Sequence, residues 1–305
     1  MGKEKIDIII ITYNRPDEML DLCRNLSTLS FQEELLNKII IVNNCSSADY
    51  SEVCLFIQEH PTVAFQYLIA PENLGVAKGR NYALQFSQAE LVIMLDDDCI
   101  LQNTDALKNI VDVFNLPTLK KTAVVSFKVL YYSTNEIQAS ALPHKKFNQY
   151  KDLPFFETYF YAGGAHAIRR SVMMEVGDYS PDFFYGMEEY DLSYRILNAG
   201  YRIVYSDKVV MLHKESPLGR VSNWQKLQMM WVNKSIVAWR YLPFYYFLTT
   251  AILWSIFYLT KSKFKMKGFI SGWNKIFNIP KMNKRAPISK NIVQYLHVLK
   301  ARLWY

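Results

Sequence analysis

The chain has 305 residues, of which 50% are hydrophobic, 15% aromatic and 21% charged, so it has enough apolar surface for a sizeable core and wholesale disorder is excluded. Cys23, Cys45, Cys54 and Cys99 show no CxxC or metal-ligand spacing, which excludes a disulfide scaffold and reads as buried thiols in a reducing compartment. The net charge of +7 is unevenly divided: residues 1–215 hold 20 Lys/Arg and all 28 Asp/Glu, whereas residues 216–305 hold 15 Lys/Arg and no acid, which implies two functional parts and a polyanionic partner for the second.

The N-terminal apolar run is too short for a secretory signal, and Ile6 breaks the pattern that myristoylation of a Met-Gly start requires, so a cytosolic start without a lipid anchor is expected. The β-branched block Ile6–Thr12 predicts a strand ended by Asn14-Arg15-Pro16. Met19, Leu20, Cys23, Leu26 and Leu29 then recur with helical period. A strand over 38–42 stops at Asn43-Asn44 and leads to a helix over Ser51–Glu59. Strands Phe65–Ile69 and 91–95 alternate with helices over 75–86 and 104–114.

Apolar strands alternating with helices indicate a mostly parallel sheet covered on both faces, where ligands bind beyond the strand C-terminal ends. That rule singles out Thr12-Tyr13-Asn14, Asn43-Asn44 and Asp96-Asp97-Asp98. Beyond residue 120 the pattern loosens to a strand over 123–132, a polar loop and Tyr161-Ala-Gly-Gly-Ala-His166. A helix from near Arg169 follows, then one from Glu188 to a stop at Gly200 that Asp191 and Arg195 support at i, i+4. Strands over 202–205 and 209–213 come last.

Alternation along an extended chain would turn Asp96 and Asp98 to one side and Asp97 to the other. Such a carboxylate pair suits a hard divalent cation and a diphosphate, unless it is simply a solvated acidic turn. Glu188, Glu189 and Asp191 open a helix, where first-turn acids complement the macrodipole or one serves as a general base. His213, closing an apolar strand, is a further cation ligand or a structural histidine. Asn73, Gly75 and Arg80 surround a helix start whose N–H groups could face phosphate, but the spacing is neither GxGxxG nor a Walker A loop.

Four ordered segments, TYNRP at 12–16, NLGVAKGRN at 73–81, LDDD at 95–98 and YGMEEYDLSYRILNAG at 185–200, with His213 beyond, resemble family 2 glycosyltransferases over about residues 5–215. The resemblance implies the α/β GT-A fold and inverting transfer of one sugar from a nucleotide-diphosphate sugar to an acceptor hydroxyl, with Mn²⁺ or Mg²⁺. It places the donor against Thr12, Tyr13, Asn14, Arg15, Asn43, Asn73, Gly75, Arg80, Asp96 and Asp97, with the cation on Asp98 and His213. The base is Glu189, with Glu188 or Asp191 as substitutes. The sequence departs from the family at Asn43, where Asp is frequent, and at Glu188-Glu189, where Glu-Asp is common. No Gln-x-x-Arg-Trp motif follows the acidic pair, which resembles non-processive transferases. The rival readings are a membrane-attached binding protein without transferase activity and a nucleotidyltransferase; the latter lacks its Gly-rich loop after the first strand.

The twenty residues 241–260 are without charge and long enough in principle to cross a bilayer. Crossing would put the basic tail outside, against the positive-inside tendency. Residues 216–305 are therefore expected to attach in-plane to an anionic membrane surface through Tyr241, Tyr245, Tyr246, Trp254, Tyr258 and the lysines, each lysine contributing about 1 kcal/mol near the surface. The alternative is a buried helical hairpin or dimer contact. Nucleic acid is not expected. A lipid-linked saccharide acceptor, handled at the cytoplasmic face of a bacterial cell membrane, follows from this reading.

Overall fold

The structure is a computed structural model, described over residues 5–216, 218 and 222–304. The isoleucine-rich block forms β1 (Ile6–Thr12), buried at every position but Ile11, and Pro16 with two first-turn acids starts α1 (Pro16–Ser27). The chain continues through α2 (Gln32–Leu35), β2 (Leu36–Asn43), α3 (Ser51–Glu59), β3 (Phe65–Ile69), α4 (Gly75–Leu84), β4 (Leu91–Asp96), β5 (Cys99–Leu101) and α5 (Ala106–Phe114). It then forms β6 (Thr122–Tyr131), α6 (Phe147–Tyr150), β7 (Phe155–Thr158), β8 (Ala165–Arg169), α7 (Arg170–Val176), α8 (Glu188–Asn198) and β9 (Arg202–His213). Four helices close it: α9 (Asn223–Tyr241), α10 (Phe244–Lys261), α11 (Met266–Met282) and α12 (Lys290–Val298).

The sheet runs β3-β2-β1-β4-β8-β6-β9-β5, with β7 also on β9. The first four strands are parallel, as expected. β8 is antiparallel to both β4 and β6, β6 and β9 are parallel, and β5 and β7 pair antiparallel with β9. The two strands expected over 202–213 are one: opposite Phe127 and Lys128 the register jumps from Ser206 to Val210, so Asp207, Lys208 and the buried Val209 form a bulge in a continuous strand.

Alternate residues of the strands feed two cores. Ile6, Ile8, Ile10, Ile39, Ile41 and Ile93 pack with α1, α3 and α5 on one face. On the other, Ile9, Ile40, Val42, Val92 and Met94 meet α4, α7 and α8, and that core continues without a break into α9, α10, α11 and α12. Trp231 of α9 is fully buried, donates to the carbonyl of Ala251 at 2.9 Å and stacks on Tyr258 and Phe269.

Three further expectations are corrected. Tyr241, Tyr246 and Tyr258, expected at a membrane headgroup boundary, are buried in the core instead, because α10 and the end of α9 pack their aromatic side chains inward. Of the four thiols only Cys23 and Cys99 are buried; Cys45 is exposed in the loop after β2 and Cys54 is half-buried on α3. The charge-free stretch is split by a break before α10, whose inner face joins the core, and among the described residues no helix is long and apolar enough to cross a membrane.

Candidate active site

A cleft of about 590 Å³ opens over the C-terminal ends of β1 and β4, where the parallel half of the sheet presents its loops. Its wall includes Tyr13, Arg15, Asn73, Gly75, Arg80, Asp96, Asp97, Asp98 and His213 from the sequence-derived candidates.

Asp96 ends β4, and Asp97 and Asp98 form a tight turn into β5 rather than continuing an extended chain. All three carboxylates line the cleft, so the expected division into two sides is not kept, but their partners differ. Asp97 meets Arg15 Nη1 at 2.7 Å; burial raises its pKa to about 6 against the opposing pull of Arg15. Asp96, with 44% of its side chain exposed, and Asp98, at 1%, have oxygens that lie with a His213 nitrogen all within 4.8 Å of one another.

His213 arrives on the last residue of β9, brought beside β5 by the Cys99–His213 pairing. Its Nδ1 lies 3.0 Å from Gln138 Oε1 and its Nε2 3.2 Å from Asp98 Oδ1, an arrangement in which Nδ1–H donates to Gln138 and Nε2 faces the carboxylates. Burial works to lower the His213 pKa, but the hydrogen bond to Asp98 and the charges of Asp96, Asp98 and Glu215 outweigh it and the pKa is raised. Two carboxylates and an imidazole, oriented by an amide behind it, form a donor set that fits Mn²⁺ or Mg²⁺. Arg15 also lies 3.2 Å from Asp98 Oδ2, so an arriving cation competes with a guanidinium for that oxygen.

The second acidic group comes to the same place. Arg80, buried on α4, holds Glu188 Oε1 at 3.3 Å and Glu189 Oε1 at 3.4 Å through Nη1, and through Nη2 reaches the Gly163 carbonyl at 2.9 Å and Asp96 at 3.9 Å. Two consecutive glycines explain how the carboxylates come so close. A methyl group at Gly163 would overlap the Glu189 carboxylate, and one at Gly164 would overlap that of Asp96. The Glu189 side chain is 16% exposed and joins the cleft through Arg80 rather than forming its wall.

Several candidates do not face the cleft. Glu188 is buried, without access to an acceptor, and desolvation with the neighbouring Glu189 charge raises its pKa well above the ordinary value despite Arg80, a shift that favours the neutral form. Asp191 turns away on the opposite side of α8, where Arg195 (Nη2 2.9 Å), Arg240 (Nη1 3.0 Å) and Tyr241 (hydroxyl 2.9 Å) occupy its carboxylate. Thr12 is buried against the Tyr50 hydroxyl at 2.7 Å. Asn14, with φ of 56°, accepts from the N–H groups of Ser47 and Ala48, a loop lock rather than a donor contact. Asn43 gives its amide to Tyr67 and accepts from Ser46 N–H, so Asn44 reaches the cleft instead, bridging Asn73 and the Leu74 N–H.

The helix-start expectation is also altered. Gly75, at φ +71°, lies so close to the Phe184 carbonyl that a Cβ would clash at 2.6 Å, and the Val76 N–H donates to that same carbonyl at 2.9 Å. The N-terminus of α4 is thus partly closed by the 184–187 loop, which Asn233 of α9 grips through the Tyr185 and Gly186 carbonyls. Tyr185, which opens the 185–200 segment, lines the cleft, and Ser140, Phe184, Glu215 and Lys226 do so without any local sequence signal, since long-range packing delivers them.

The glycosyl transferase family 2 model matches residues 7–177. An uncharacterized protein of Haemophilus influenzae is 26% identical over 181 residues, 58% of this chain and 93% of that one. The O-antigen chain rhamnosyltransferases WbaN of Salmonella anatum and RfbN of Salmonella typhimurium are 24% and 23% identical, over 59% and 70% of this chain and 57% and 67% of their own lengths. Among solved structures, GalNAc-T7 with UDP, GalNAc and Mn²⁺ superposes with a TM-score of 0.64 at 15% identity, over 92% of this chain and 58% of that chain. The Pyrobaculum calidifontis mannosyltransferase PcManGT with GDP-Man and Mn²⁺ gives 0.59 at 15% identity, over 99% and 82%. The fold is that of the GT-A glycosyltransferases. With the matched region spanning β1 to α7 and holding the acidic strand end of the cleft, the chain belongs to glycosyltransferase family 2.

Proposed function

We propose that the protein moves one sugar from a nucleotide-diphosphate sugar to a hydroxyl of a saccharide acceptor with inversion, releasing product after each transfer. The observation that carries this reading is the Gly163-Gly164 step, on which the Glu189 and Asp96 carboxylates each pack, with Arg80 between them at 3.4 Å from Glu189 and 3.9 Å from Asp96. In this reading Glu189 is the base and the Asp96 side of the step holds the diphosphate.

In this reading Asp98 and His213, with Asp96 beside them, would hold Mn²⁺ or Mg²⁺, which would supply Lewis-acid neutralisation of charge on a diphosphate leaving group. Two structural neighbours, one solved with UDP and Mn²⁺ and one with GDP-Man and Mn²⁺, support that choice. Tyr13, Asn44, Asn73 and Gly75 form the donor end of the cleft. Arg80 aims Glu189 through Nη1 at 3.4 Å, with Glu188 buried behind it. The Glu189 carboxylate takes the acceptor hydroxyl proton as the new C–O bond forms on one face of the anomeric carbon and the bond to the diphosphate breaks on the other. No covalent enzyme intermediate arises.

The O-antigen chain rhamnosyltransferases among the relatives support a role in cell-surface polysaccharide assembly. The basic, acid-free residues 216–305 support a lipid-linked saccharide as acceptor at the cytoplasmic face of a bacterial membrane. Residues 1–215 would then supply catalysis and 216–305 the attachment. Thermal melts with a set of nucleotide sugars, with and without Mn²⁺, test the reading. One donor at 100 times its dissociation constant should stabilise the chain by about 2.7 kcal/mol in a Mn²⁺-dependent manner, and silence from every donor contradicts it.

A further inference from the structure

The turn joining α10 to α11, Lys261-Ser262-Lys263-Phe264-Lys265-Met266-Lys267, interleaves four exposed lysines with two exposed apolar side chains, Phe264 at 67% and Met266 at 51%. This exposure is built in rather than a frayed end. Ser262 N–H donates to the Tyr258 carbonyl at 2.8 Å and Phe264 N–H to the Leu259 carbonyl at 2.9 Å, while Tyr258, itself fully buried, donates its hydroxyl to the Lys265 carbonyl at 3.4 Å. Lys263 and Phe264 take φ of 53° and 59°, a left-handed conformation that side chains seldom adopt. Ile256 and Phe257 on the last turns of α10 and Ile270 on the second turn of α11 extend the apolar surface, each exposed by 40% or more.

We propose that this turn is a docking tip for an anionic phospholipid bilayer: Phe264, Met266 and Ile270 enter the acyl boundary while Lys261, Lys263, Lys265 and Lys267 lie among the headgroups. Charge complementarity commits the surface to that occupant. No Asp or Glu occurs in residues 216–305, so the tip has no acid of its own region to neutralise it. A second copy meeting it two-fold would bring eight lysines together. Nucleic acid would leave the aliphatic side chains unused. The inference rests on the membrane part of the proposed function and names the surface that performs it.

The test is sedimentation of the full chain with vesicles of 30% phosphatidylglycerol in phosphatidylcholine, against pure phosphatidylcholine. Wild type should bind the anionic vesicles and release in 1 M salt. Replacing the four lysines, as Lys261→Glu, Lys263→Glu, Lys265→Glu and Lys267→Glu together, should lower partitioning by at least about 100-fold, at roughly five-fold per lysine. Phe264→Ser with Met266→Ser should weaken binding while keeping its salt dependence. Because all these side chains are exposed, both variants should melt like wild type. Equal binding of wild type and the charge-reversed variant, no binding to anionic vesicles, or a stable dimer that both variants dissolve each overturns the proposal. Donor melts run in parallel separate this result from the transferase reading: a chain that binds its donor but no vesicle contradicts the docking tip and the membrane attachment while leaving sugar transfer standing.

Discussion

Replacing Asp191 by Ala should destabilise the protein without stopping catalysis. The carboxylate is 1% exposed and accepts from Arg195 through Nε at 3.1 Å and Nη2 at 2.9 Å, from Arg240 Nη1 at 3.0 Å and from the Tyr241 hydroxyl at 2.9 Å. Breaking a buried ion pair from one side costs about 3–5 kcal/mol when the remaining charge is stranded. Here the remaining cations are not stranded. Arg195 keeps the carbonyls of Val176, Gly177 and Asp178, and Arg240 keeps Asp182, Ser180 and Asn283. The loss should therefore sit at the low end, about 3 kcal/mol. At about 2–4 °C per kcal/mol for a chain of this size, the melting temperature should fall by roughly 6–12 °C. Calorimetric melts of wild type and Asp191→Ala give the shift, and a donor titration well below the transition should show unchanged affinity. A variant that melts with wild type, or one that keeps its stability and loses transfer, would refute the assignment of Asp191 as the tie between α8 and α9.

Glu188→Gln copies the neutral acid and should keep transfer within a few-fold. Its stability should also diverge from wild type with pH. A folded pKa raised above the ordinary 4.5 makes the Glu188 contribution fully present below pH 4.5 and lost as pH rises toward the raised value, so the Gln variant should gain relative to wild type by up to about 1.4 kcal/mol per pH unit across that window, read by urea melts. Asp98→Asn and His213→Ala should each weaken Mn²⁺ binding at least about ten-fold in a calorimetric titration, since each removes one donor from a three-residue set. Gly163→Ala should fold, because no left-handed φ is required there, yet lower kcat about 100-fold by pushing the Glu189 carboxylate off its position. Unchanged kcat in that variant would mean the carboxylate at Gly163 is not the base.

How legible all this is in the sequence depends on the range of the interactions. The parallel half of the sheet follows from local signals: β-branched runs, their alternation with amphipathic helices, and polar residues at strand ends. β8 is hidden because Ala165-His166-Ala167 carries no strand propensity of its own; antiparallel neighbours on both sides impose it. The same context hides the function of the two glycines before it, visible as a doublet but meaningful only when Glu189 and Asp96 press on them. Asp96, Asp98 and His213 could be named from residue type and position. Asn14 and Asn43 could not be excluded that way, since, apart from Ser46 on Asn43, the groups that consume their amides lie 24 to 34 residues away. In the C-terminal part, composition alone reports apolar and basic content. Division of α10 into an inner face on Trp231 and an outer face open to solvent is a tertiary fact.

The central claim is that Glu189 primes the acceptor beside a cation-held diphosphate. Its most direct test is the transfer rate of Glu189→Gln with the donor that the melts identify, measured together with donor affinity in Mn²⁺. The account predicts transfer reduced by about 10²–10⁴-fold with donor affinity unchanged. A Gln variant that transfers at the wild-type rate would contradict it.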